Sequence, residues 1–364
     1  MKLIKLEVFG LNGSETPIKI DFNSDFNILT GKNGSGKTTL LKLIWYVISG
    51  NISLAISEIL FNKLILKTDE YLLTLENQDN DTGIIEIQDS FTKEIVNEKY
   101  NTVNTSYLSS LRRNEKTIKY FKEKGSSIFL PTFRRIEGGF STEKGRKRKL
   151  EESLSDLSNE LSNENHLFIS SLSTVDIEAL LIKKHSELSE QYSKLHQEIS
   201  SEIINDIKNL EEKFSSREEL SDLVSTIKEK VQQMENDRAN IMHPFDILKE
   251  LVKKIFNYSG IKLDFQGANL GFGNAANAIN SGLLSAGEKQ MLSFIAYNTF
   301  YQNSIFIIDE PELSLHIDWQ RVLFPTLLSQ ENNNQFIIST HSPFIYAKYP
   351  DKELQIASDK GFND

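Results

Sequence analysis

Residues 31 to 38 of this 364-residue chain read Gly31-Lys32-Asn33-Gly34-Ser35-Gly36-Lys37-Thr38 and fit the pattern G-x-x-x-x-G-K-[ST]. They follow the apolar stretch FNILT and open an apolar helix, the strand–loop–helix setting in which the pattern has chemical meaning. Glycines let successive backbone N–H groups turn inward around phosphate oxygens, and the helix N-terminus adds positive potential. Lys37 is then the candidate for the β- and γ-phosphates, and Thr38, with Thr39 beside it, offers a hydroxyl for Mg²⁺. The nucleotide candidates are therefore Gly31, Lys32, Asn33, Gly34, Ser35, Gly36, Lys37, Thr38 and Thr39.

Phosphoryl transfer also needs an acidic residue at the end of an apolar strand, and Ile305-Phe306-Ile307-Ile308-Asp309-Glu310 supplies one. Asp309 is the candidate metal residue, and Glu310 is placed to orient and deprotonate an attacking water. Upstream lies Leu284-Ser285-Ala286-Gly287-Glu288-Lys289-Gln290, and downstream Ser339-Thr340-His341-Ser342-Pro343. Ser285, Gly287 and Glu288 fall at the start of an expected helix, where backbone donors suit a phosphate. His341 alone would read as a structural histidine; in company with the other motifs it is a candidate catalytic residue.

The elements that must position these residues come from both ends of the chain. Residues 1–140 alternate strand patterns, at Lys2–Phe9, Ile18–Phe22, Phe26–Thr30, Leu64–Leu75 and Ile84–Ile87, with a helix from Lys37 and a hairpin turn at Gln78–Gly83. Residues 141–258 form a helical, coiled-coil-like insertion almost without Gly or Pro. Its apolar seam runs through Leu181, Leu188, Tyr192, Leu195, Ile199, Ile203, Ile207, Leu210 and Phe214, with a stutter from Ile199 to Ile207. A second run, Leu220, Val224, Ile227, Val231 and Met234, follows a capping box at Ser216 and Glu219, and His243-Pro244 is expected to break that helix. Residues 259–364 return to strands separated by helices, which indicates a parallel sheet. Its first strand lies before the insertion and its last strands after it, so the two ends must build one domain.

Composition narrows the classes. The chain has no cysteine, which excludes disulfide frameworks, thiolate metal sites and Cys nucleophiles and fits a cytoplasmic setting. No apolar run approaches the roughly 20 residues of a membrane span, and MKLIKLEVFG reads as a strand and not a leader. The net charge of −10 argues against non-specific wrapping of nucleic acid, but it is uneven. Residues 1–150 hold 23 basic and 18 acidic groups, 151–258 hold 12 and 22, and 259–364 hold 6 and 11. Any nucleic-acid contact is therefore expected near the first segment, at Arg134, Arg135 and the basic run 144–149, and not along the acidic insertion.

The order of the four motifs resembles that of the ATP-binding-cassette ATPases, with LSAGE in place of the LSGGQ signature. The long helical arm and the DEPELSLH segment resemble the branch containing SMC-like repair proteins, RecF and OLD-type ATPases, and Phe129–Glu137 resembles the PTxRRIE segment of the PtuA ATPases of Septu and retron-associated antiphage systems. That likeness implies an α/β P-loop head with an antiparallel β-subdomain, ATP and Mg²⁺ as cofactors, and a homodimer or higher oligomer. Two ATP molecules would be sandwiched so that Ser285 and Gly287 act on the γ-phosphate of the other subunit. It also implies a partner effector, an HNH nuclease foremost, in antiphage defence, with no membrane partner. A RecF-type repair ATPase and a slow-turnover, nucleotide-dependent scaffold are the alternatives. Two departures stand out: Ser314-Leu315-His316 replaces the usual D-loop aspartate, and no nuclease-like acidic cluster follows the last strand before Asp364, so nuclease activity is expected of a partner.

Overall fold

The computed structural model describes residues 1–79, 82–101, 115–132, 135–136, 144–172, 174–211, 217–255 and 285–356. In chain order the strands are β1 (Leu3–Phe9), β2 (Ile18–Asp21), β3 (Phe26–Thr30), β4 (Lys63–Thr68), β5 (Tyr71–Asp79), β6 (Thr82–Asp89), β7 (Ile95–Asn101), β8 (Ser127–Leu130), β9 (Arg135–Ile136), β10 (His166–Phe168), β11 (Ser171–Leu172), β12 (Ile305–Asp309), β13 (Gln335–Ser339) and β14 (Glu353–Gln355). The helices are α1 (Lys37–Ile48), α2 (Ile52–Glu58), α3 (Glu115–Glu123), α4 (Lys144–Leu161), α5 (Thr174–Glu211), α6 (Arg217–Ile255), α7 (Ala286–Phe300), α8 (Ile317–Leu328) and the single turn α9 (Pro343–Tyr346). Contacts divide the chain into two compact units, one of residues 1–173, 285–294 and 301–364 and one of residues 174–284 and 295–300.

The first unit holds two sheets. One, ordered β10-β8-β12-β13-β3-β14, pairs in parallel throughout. Every residue of β3, β12 and β13 is buried, the signature of strands covered on both faces. The other, ordered β2-β1-β4-β5-β6-β7, is antiparallel and alternates buried with exposed positions along β5 and β6. Helix α1 is apolar on nearly every side because it shares a core with both sheets. Its Trp45 ring lies 5.6 Å from Phe129 of β8 and 5.4 Å from Phe168 of β10.

The region read as wholly helical from residue 141 departs from that expectation. After α4 it returns to the parallel sheet as β10, and β11 pairs with β9. His166, which carried no sequence signal, fixes this edge. Fully buried, it shares a 2.8 Å hydrogen bond between Nδ1 and Ser127 Oγ, and Nε2 lies 3.1 Å from the Phe121 carbonyl. A neutral ring satisfies both bonds, with Ser127 donating to Nδ1 and Nε2–H donating to Phe121. Burial pushes the imidazole down to about 4. The folded state therefore resists a proton that the unfolded chain accepts below about pH 6.5, so stability from this site falls as pH drops from 6.5 toward 4. Between pH 7 and pH 5 the loss should be about 2 kcal/mol. Urea unfolding of His166→Gln, whose amide does not titrate, should show a shallower pH dependence than wild type; identical slopes would contradict this role.

The second unit is built on an antiparallel pair, α5 and α6, with Lys230 bridging Glu202 at 3.1 Å and Asp206 at 2.9 Å. Two sequence expectations are corrected here. Pro244 lies inside α6 and does not break it. Proline removes one backbone donor, and the burial of Phe245, Leu248 and Val252 just beyond it holds the helix together, Phe245 packing 4.8 Å from Phe300. The seam of α6 keeps Ile227 and Met234 of the expected one but takes Leu223 and Lys230 in place of Val224 and Val231. Leu223, Ile227, Lys230 and Met234 are half-buried, whereas Val224 and Val231 are exposed. A two-helix hairpin covers a single stripe on each helix, and both stripes fit the sequence until contacts choose. The capping residue Ser216 and the strand expected at 261–265 lie outside the described residues.

Candidate nucleotide site

The P-loop residues connect β3, a central strand, to α1. Gly36 caps α1 with φ of 87°, and a Cβ there would lie 3.3 Å from the Asn12 side chain, so both conformation and space call for glycine. Lys37 is buried, and its ammonium donates to the carbonyls of Gly31 at 2.8 Å and Lys32 at 3.2 Å. Burial lowers its pKa, against the pull of Glu310, Asp309 and Glu312, whose charges all act on it. Lys32, Asn33, Gly34 and Thr38 are exposed, and Ser35 and Thr39 are half-buried. Ser35 Oγ and, at the end of β13, Ser339 Oγ are buried without a hydrogen-bond partner among the described residues. Hydroxyls of this kind beside a Gly-rich helix start fit a site for an anionic ligand.

Asp309 closes β12 opposite Ser339 of β13 and is fully buried. Glu310 takes a left-handed backbone, φ 49°, while its N–H still donates to Ser339 O at 2.9 Å, so the chain turns out of the sheet at this residue. Such a conformation costs a non-glycine residue on the order of 1 kcal/mol and is concentrated at functional positions. Burial, together with Glu312 and Asp309, pushes the Glu310 carboxyl up to about 8. His341 Nε2 stands 3.5 Å from Glu310 Oε1, within ion-pair reach and long for a hydrogen bond. Burial and Lys37 lower the pKa of His341, which favours its neutral form.

Three side chains not assigned from the sequence tie these loops together. Glu312 Oε1 accepts from the backbone N–H groups of His341 at 2.8 Å and Ser342 at 3.0 Å, which fixes the loop carrying His341 against the end of β12. Gln290, fully buried on α7, donates to Pro311 O at 2.8 Å. Thr132, just past β8, donates its hydroxyl to Asp309 Oδ2. Each lies in a run that the sequence singled out, Glu312 in DEPELSLH, Gln290 after LSAGE and Thr132 in the PTxRRIE-like segment, but none received a role there, because their partners are set by strand order.

Ser285, Gly287 and Glu288 lie at the start of α7 and, in their described contacts, engage one another and the Ser314 loop. Ser285 N–H donates to Glu288 Oε2 at 2.7 Å and Glu288 N–H to Ser285 Oγ at 3.3 Å, a reciprocal helix cap. A Cβ on Gly287 would sit 2.6 Å from Ser314 O, so glycine is required by close backbone approach. Ser314 itself has a left-handed φ of 67°. Glu288 thus has a capping role that the sequence reading did not assign. The structure brings Lys37, Asp309, Glu310, Glu312 and His341 into one electrostatic cluster.

A parallel sheet that presents a P-loop after one strand and an acidic residue at the end of another, with a single strand between them, defines a P-loop ATPase head. The chain belongs to the AAA ATPase domain family, which matches residues 1–346. It is similar to the Retron Vc95 probable ATPase of Vibrio cholerae serotype O1 biovar El Tor, 25% identical over 174 residues that make up 42% of this chain and 33% of that protein. It is also similar to the Retron Ec83 probable ATPase of Escherichia coli, 38% identical over 73 residues (16% of this chain, 14% of that protein), and to endonuclease GajA of Bacillus cereus, 40% identical over 63 residues (16% and 11%). The chain spans a third or less of the length of each of these relatives. Among solved structures, an Smc head domain with an extended coiled coil from Pyrococcus furiosus aligns over 95% of this chain and 91% of that chain at 15% identity, with a TM-score of 0.39. No described helix is long and apolar enough to cross a membrane.

Proposed function

We propose that the chain is an ATP-hydrolysing switch whose heads close on one another around nucleotide and thereby control a partner effector, an HNH-type nuclease, in antiphage defence. The observation that carries the catalytic part is the convergence of Lys37, Asp309, Glu310 and His341 at the ends of neighbouring strands. Lys37 holds the β- and γ-phosphates once its ammonium leaves the P-loop carbonyls. Thr38 and Asp309 are the residues that would hold Mg²⁺, one hydroxyl and one carboxylate beside phosphate oxygens. When bound, the ion supplies positive charge that neutralises the phosphates and favours the ionised form of Glu310. Glu310 then accepts a proton from the water whose oxygen attacks the γ-phosphorus, as the bond to the β–γ bridging oxygen breaks. His341, neutral and beside Glu310, orients this carboxylate and the transferring group.

Closure is supported by the surface next to the signature motif. Leu313 and Ile317, each 42% exposed, flank the loop that packs on Gly287, and Ser285 is exposed beside them. A second copy would cover these apolar side chains and bring its γ-phosphate to the backbone donors of Ser285 and Gly287. Contacts made only in the closed state are what allow ATP to shift the equilibrium toward it. In bacteria carrying the chain with its neighbouring genes, phage plating should fall by orders of magnitude, Lys37→Ala should restore it, and an HNH-type protein should co-purify with the tagged chain. Equal plating with and without the intact locus would remove the defence assignment and favour the repair or scaffold alternatives.

A further inference from the structure

Strand β8 pairs in parallel with β12, Leu130 opposite Ile308, so the chain leaving β8 runs beside the chain leaving β12. Two residues beyond Leu130, half-buried Thr132 reaches across this boundary and donates its hydroxyl to Asp309 Oδ2. The contact joins positions 177 residues apart and falls on the carboxylate proposed to hold the metal. We infer that Thr132 is a positioning residue for the metal–nucleotide site. Its hydroxyl sets the orientation of the buried Asp309 carboxylate, so that the ligand is already aimed before the ion arrives. A carboxylate held in this way loses little rotational freedom on binding, and partners behind a metal ligand typically contribute 10–100-fold to metal affinity. The inference rests on the reading of Asp309 as a ligand of nucleotide-bound Mg²⁺. A purely structural hydroxyl, satisfying a strand end, would affect folding without affecting metal affinity.

The test uses the full chain and Mn²⁺ as the probe, with its binding to the ATP complex followed by electron paramagnetic resonance and fluorescent-ATP affinity measured in EDTA. Thr132→Val keeps the shape and removes the donor; it should weaken Mn²⁺ binding about tenfold and leave metal-free nucleotide affinity within twofold. Thr132→Ser, which retains the hydroxyl, should bind Mn²⁺ within about twofold of wild type. Asp309→Asn separates the two layers of the inference. If it weakens Mn²⁺ while Thr132→Val does not, the positioning role is overturned; if Asp309→Asn leaves Mn²⁺ unchanged, the metal assignment beneath it fails. Equal weakening by Val and Ser would also overturn the role of the hydroxyl.

Discussion

Glu310→Gln is expected to bind ATP as the wild type does and to hydrolyse it about 10²–10⁴-fold more slowly, the usual contribution of a positioned general base. The substitution changes one atom and retains the geometry: the N–H to Ser339 O, the left-handed turn and the approach of His341 depend on backbone and shape. It should also raise the stability of the ligand-free chain at pH 7, because the carboxyl it replaces is pushed up to about 8 and must take up on folding a proton that the unfolded chain has released, a cost the amide does not carry. Phosphate release in a single turnover is the measurement. Unchanged turnover would remove Glu310 as the base and with it the proposed hydrolytic step.

Lys37→Ala should lose nucleotide affinity about 30-fold or more, the loss expected when one partner of a charge-assisted pair is truncated at a buried site. The ammonium sits 5% exposed among Gly31 O and Lys32 O, with Asp309, Glu310 and Glu312 acting on it from the neighbouring strand ends. No other described cation occupies that place. Removing it takes away the protein's own cation beside these carboxyls, so repulsion of the incoming phosphates adds to the lost contact. Equilibrium binding of a fluorescent ATP analogue, with thermal melting as the folding control, reads the effect. Wild-type affinity in a folded Lys37→Ala protein would end the P-loop assignment.

The parts of the site legible in the sequence are those whose chemistry ties residue type to short spacing. The P-loop needs its glycines within a few residues of Lys37, and Asp309-Glu310 needs an apolar strand directly before it. The parallel sheet was legible because short apolar strands such as IFIID and QFIIS are separated by a helix, and the structure buries them on both faces. What escaped depended on order in space. β8 is four residues long and β10 three, too short for any period to appear, yet both join the central sheet and place Thr132 and His166. The arm shows the opposite failure. Its apolar residues are plentiful enough to draw more than one seam: Ile227 and Met234 fall on the expected stripe, but only packing selects Leu223 and Lys230 over Val224 and Val231.

Head closure on nucleotide is tested most directly by the mass in solution of the full-length Glu310→Gln protein, measured by sedimentation velocity with and without Mg²⁺–ATP. Slow hydrolysis should hold the closed state long enough for the mass to at least double when ATP is added and to return when ATP is replaced by ADP. A protein that binds ATP, shown by fluorescence in the same sample, and keeps the same mass would contradict closure between copies and leave Ser285 and Gly287 without a phosphate to meet.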